Sequence, residues 1–227
     1  MWRVGSVFLF TIIAAVWVGA GESLFEILLD KDRGLCSAML TLINKDVEEH
    51  GRINYDSHTE FTSVKWGPSN FVSDKFKEDS CLGVRVAQFD LTNDGKDDLV
   101  LRFRWCFRDR LSDKIYFFTS PDPALSSSAG LEDVEARSLG EFPAQRGGLG
   151  NYVIKELPQD KIRSGVTPGE GVGGWMVINP FLYKGVWYLA ATDRGRSGGD
   201  EVGDGFVIGK YKGRGELDNI CYFRKRF

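Results

Sequence analysis

Histidine is almost absent from this chain: 227 residues include only two, His50 and His58. No pair stands at metal-ligand spacing, and no H-E-x-x-H helix or G-x-S-x-G elbow occurs. No serine has an identifiable base beside it, and a catalytic thiol would lack a histidine placed to activate it. A basic surplus is missing too. The 29 Lys and Arg against 32 Asp and Glu leave a net charge of -3, with nothing to neutralise a phosphate backbone, so nucleic acid is not an expected partner. After residue 20 no apolar run approaches the length of a membrane helix, which makes the expected mature form soluble and not membrane-embedded.

What is present begins with an export signal. Met1-Trp2-Arg3 carries one positive charge, Val4 to Val18 is apolar and uncharged, and Val18-Gly19-Ala20 supplies small residues for a signal peptidase. Residues 1–20 are therefore expected to be removed, leaving 21–227 as a single domain in the periplasm or outside the cell. The alternative is an uncleaved N-terminal anchor. Export fits the cysteines. Cys36, Cys81, Cys106 and Cys221 match no paired zinc spacing and are expected to form two disulfides, for which three pairings exist.

Ser23-Leu24-Phe25-Glu26 has capping-box spacing, so the mature chain is expected to start helical. Leu35, Met39, Leu42, Ile43 and Val47 then recur at helical intervals up to Gly51. Beyond Gly51 the period becomes that of strands, expected at 61–66, 82–90, 99–107, 114–119, 152–156, 175–179, 186–192, 206–211 and 219–223. Residues 120–150 read as a long excursion. The fold class is α+β: mainly an antiparallel β meander, with an N-terminal helix packed on the sheet. Aligning the apolar faces of 82–86 and 101–105 sets Val84 opposite Phe103 and Val86 opposite Leu101. Cys81 then faces Cys106, and Cys36 is left to Cys221.

The segment from Asp90 to Leu101 carries the most chemical information. Asp90, Thr92, Asp94 and Asp98 place oxygens at alternating positions, Gly95 stands where the chain must turn, and Lys96 can offer its carbonyl. A hard cation such as calcium takes six to eight oxygens from one tight loop, which this alternation suits. Leu101 stands where an EF-hand has its bidentate Glu. The loop instead resembles the Asp-rich calcium loop of FG-GAP and VCBS-type repeats. That resemblance implies ligands at Asp90, Asp94 and Asp98 and at the Lys96 carbonyl, with Thr92 departing from the usual Asp or Asn. It covers about ten residues and has no second copy, so a propeller does not follow. A hairpin whose Asn-Asp-Gly turn is selected for its backbone is the other reading.

Gly169 to Gly174 precedes a strand and lacks the following helix of a nucleotide loop. The connection from Asp193 to Gly205 is longer than a hairpin requires. Its Arg194 and Arg196 beside Asp200, Glu201 and Asp204 suit charge-selective contact with a partner. The expected function is that of an exported, non-enzymatic binding protein, as inhibitors and toxin-neutralising immunity proteins are, with a protein partner favoured over a carbohydrate. The competing classes are a calcium-dependent carbohydrate-binding module, with exposed aromatics beside the metal loop, and a carboxylate-dependent hydrolase.

Overall fold

The computed structural model describes residues 23–50, 53–69, 83–107, 110–118, 140–142, 176–193, 205–213 and 216–226. The start of the domain corrects the sequence reading. Phe25–Asp30 is a strand, β1, and the helix α1 runs over Arg33–His50. Phe25, Leu28 and Leu29 stand at helical spacing because a bulge between Ile27 and Leu29 breaks the two-residue alternation of the strand. Glu26 does not close a capping box; it faces Arg224 across the strands, 2.6 Å from its guanidinium. The residue that caps α1 is Asp32, whose Oδ1 accepts the Leu35 N–H at 3.0 Å. From there Leu35, Met39, Leu42 and Ile43 are buried on one face, as their spacing predicts.

The strands form two antiparallel sheets. The six-stranded sheet contains β1, β2 (Phe61–Ser63), β8 (Met176–Tyr183), β9 (Val186–Asp193), β10 (Gly205–Gly213) and β11 (Glu216–Lys225), in the order β1-β11-β10-β9-β8-β2. The five-stranded sheet runs in chain order through β3 (Gly67–Pro68), β4 (Gly83–Phe89), β5 (Asp98–Phe107), β6 (Arg110–Phe118) and β7 (Gly140–Phe142). The short strands β3 and β7 are too brief to leave a periodic signal, and β7 falls inside the stretch read as an excursion. The expected strand at 152–156 lies outside the described residues, as do the signal segment and the 169–174 glycines.

Alternation along the six-stranded sheet sends side chains into two separate apolar clusters. Leu189, Ala191, Val207 and Tyr222 share one with Phe89, Val100, Ile115 and Phe117 of the five-stranded sheet. Ala190, Phe206, Ile208, Cys221 and Phe223, from the intervening positions, share the other with Leu35, Met39, Leu42 and Ile43 of α1. Burial on both faces is why Phe206-Val207-Ile208 in β10 and Ile220-Cys221-Tyr222-Phe223 in β11 are unbroken apolar runs. The β8–β9 hairpin closes through Lys184 (φ 48°) and Gly185 (φ 78°), two successive left-handed residues whose twist suits a two-residue turn.

A disulfide joins Cys36 in α1 to Cys221 in β11, with Cα atoms 5.6 Å apart. The β4–β5 register sets Val84 opposite Phe103 and Val86 opposite Leu101. Cys81 lies outside the described residues, and with it the expected pair to Cys106. Among the described residues no helix is long and apolar enough to cross a membrane.

Candidate functional site

The Asp-rich segment is the connection between β4 and β5, and its aspartates organise the backbone of the turn. Asp90 Oδ1 accepts the Asp94 N–H at 2.9 Å, and its Oδ2 accepts the Gly95 N–H at 2.8 Å. Asp94 Oδ1 accepts the Lys96 N–H at 2.9 Å. Asp98 Oδ2 accepts from the Thr92 N–H at 3.0 Å and from the Thr92 hydroxyl at 3.2 Å. Asn93 (φ 58°) and Gly95 (φ 86°) supply the left-handed backbone. A purely local role thus exists for Asp90 and Asp98, two of the aspartates outside the Asn-Asp-Gly turn. Among the described residues no group of three or more His, Cys, Asp or Glu side chains is arranged to hold a metal.

Two features of this turn have no counterpart in its sequence pattern. Asn93 docks it on the other sheet: its Oδ1 accepts the Trp187 N–H at 2.7 Å, and its Nδ2 donates to the Trp187 carbonyl at 3.0 Å. Asp98 is buried, and burial raises its carboxyl above the usual range; the Thr92 hydrogen bonds oppose the shift, and the Asp94 and Asp90 charges add to it. The aromatics nearest the turn belong mainly to the core. Phe89 lies 4.5 Å from Trp187 and 6.4 Å from Trp66 between ring centroids, and both tryptophans pack, partly buried, on the inter-sheet cluster.

Away from this turn, the most heavily bonded ionic group among the described residues is one that sequence reasoning missed. Asp113 on β6 is fully buried. Its Oδ1 accepts from Arg104 Nε at 2.7 Å, and its Oδ2 accepts from Arg104 Nη2 at 3.0 Å, Arg102 Nη2 at 2.8 Å and the Ile178 N–H at 3.0 Å. One carboxylate therefore fastens β5, β6 and β8 together. A signal was available: in Val100-Leu101-Arg102-Phe103-Arg104 the arginines alternate with apolar residues on a strand whose two faces are both buried, and Asp113 stands opposite Arg104. A second buried carboxylate, Asp46 of α1, accepts the Asn54 N–H at 2.7 Å and bonds His58 Nε2 at 3.1 Å, tying the chain after the helix back to it.

The Asp-rich turn sits against Trp187, near the start of β9, whereas the Asp193 connection leaves from its end. Six residues of extended strand, about 20 Å, separate Trp187 from Asp193. Arg194, Arg196, Asp200, Glu201 and Asp204 lie outside the described residues. No family model, curated protein or solved structure matches the chain.

Proposed function

We propose that the chain is exported to the periplasm or cell exterior and works there as a non-enzymatic binding protein, holding a protein partner as inhibitors and toxin-neutralising immunity proteins do. The observation that carries this reading is the β9–β10 connection. Thr192 pairs with Phe206 and Ala191 with Val207, so the strands are immediate neighbours. A hairpin between neighbours needs two to five residues, as the two-residue β8–β9 turn illustrates. Residues 194–204 go well beyond that need, and their mixed charges favour recognition of a complementary surface. The scaffold behind them supports the same reading: a disulfide suits an oxidising compartment, and the helix serves as the outer cover of the six-stranded sheet. Buried carboxylates at Asp46 and Asp113 are spent on holding segments together, which makes the domain a rigid support for a loop.

Calcium enters as a stabiliser of the β4–β5 connection, at Asp90, Thr92, Asp94, Lys96 and Asp98. Burial is the main cause of the raised Asp98 carboxyl, and the Asp94 and Asp90 charges add to it; that added repulsion is what a bound divalent cation would relieve. Deleting Arg196–Asp200 tests the binding reading: the variant keeps its melting transition and loses partner capture. Equal capture by both proteins would reduce the loop to a connector. Turnover of a cell-wall or glycan substrate by the purified protein would replace binding with hydrolysis.

A further inference from the structure

We propose that the face of the five-stranded sheet around Arg85, Arg102 and Arg104 binds a phosphate group. In the β4–β5 ladder Arg85 is directly opposite Arg102, and Arg104 follows two residues on, so all three leave the same face of the sheet. Asp113, opposite Arg104, is the only carboxylate bonded to them among the described residues. Like charges set directly across a ladder repel. Among the described residues three guanidinium groups meet one carboxylate, an excess of two positive charges that a dianionic group would match.

The donors are graded in depth. The Arg102 side chain is 10% exposed, Arg104 is 35% exposed, and Arg85 is at the surface. Asp113 takes Arg104 through Nε and Nη2 and Arg102 through Nη2 alone, which restrains both guanidinium planes. Arg102 Nε is buried without an acceptor. Trp66 lies 5.4 Å from the Arg102 guanidinium and restrains it further. Preordered forks of this kind suit the oxygens of phosphate, and the two excess charges match its dianion.

The test uses the mature full-length protein, titrated calorimetrically with inorganic phosphate, glycerol phosphate and succinate at constant ionic strength. Saturable phosphate binding is expected, weakened about tenfold or more in Arg85→Gln, a surface change that leaves the Asp113 network intact. Arg104→Gln, checked for folding by circular dichroism, should weaken binding likewise; if it fails to fold, Arg85→Gln decides. Tighter binding of glycerol phosphate would assign the site to an esterified phosphate, and tighter binding of inorganic phosphate to the free ion. Absence of saturable phosphate binding, affinity unchanged in Arg85→Gln, or succinate bound more tightly than either phosphate would overturn the proposal.

Discussion

Replacing Cys36 and Cys221 together by alanine removes the one cross-link that joins α1 to the interior of the six-stranded sheet. The two cysteines are separated by 185 residues. Chain-entropy estimates for closing a loop of that length come to about 5 kcal/mol, because the unfolded chain without the bond regains nearly all of its freedom. Both cysteines are fully buried, so losing their sulfurs also thins the cluster of Met39, Phe206, Ile208 and Phe223. With a urea dependence of roughly 2–3 kcal/mol per molar for a domain of this size, the unfolding midpoint should fall by about 2 M. Urea titrations of the oxidised protein and the double variant, followed by tryptophan fluorescence and circular dichroism, measure that fall. Coincident transitions by the two probes are needed for the conversion to free energy. A midpoint lowered by less than ~0.3 M would refute the reasoning, since the bond would then hold segments that the unfolded chain already keeps together.

Other perturbations follow from single contacts. Asp113→Asn leaves Arg102 and Arg104 without their counter-charge inside the sandwich and should cost about 3–5 kcal/mol in the same urea assay; a loss under 1 kcal/mol would mean that the arginines find another acceptor. The carboxyl of Asp98 is raised in the folded protein, so the folded state holds its proton more firmly than the unfolded one, and the contribution of this group to stability falls as pH rises through the window above its ordinary value. Calcium, which takes the ionised form, should flatten that fall and raise the melting temperature at neutral pH, more than magnesium does; Asp94→Ala should abolish the calcium effect. Indifference of the wild-type melting curve to calcium and chelator would leave the hairpin reading. Gly209→Ala would place a Cβ 2.8 Å from the Asp218 carbonyl oxygen and 3.0 Å from Leu217 Cβ, at the β10–β11 bulge, and should destabilise by about 1–3 kcal/mol in thermal melts; an unchanged melting temperature would mean that β11 yields without cost.

The register of β4 on β5 was legible because a matched alternation of apolar residues leaves one alignment that sets the half-buried Val84 and Val86 beside the buried Phe103 and Leu101 on a common face. The same logic fixed most of the later strands, whose β-branched and aromatic runs are set off by turn residues. It failed at β1, where one bulged residue converts a strand's alternation into a helix-like spacing. It also failed at Asp113, because the partners of a buried charge are chosen by sheet order: Ile178 is far along the chain and becomes its neighbour only when β8 lies over β6. The docking of Asn93 on Trp187 was hidden for that reason too. Its residue type is explained locally by the left-handed turn, and nothing in the turn itself announces a second use of the side chain.

Charge-selective recognition of a partner by residues 194–204 is the central proposal for this protein. Its most direct measurement is the recovery of cross-linked partners from the producing cell by the tagged protein, compared quantitatively with a variant carrying Arg194→Glu and Arg196→Glu. The prediction is a specific partner whose recovery falls at least about tenfold in the variant, while the melting temperatures of the two proteins agree. Equal recovery of the same partners by both proteins would contradict it.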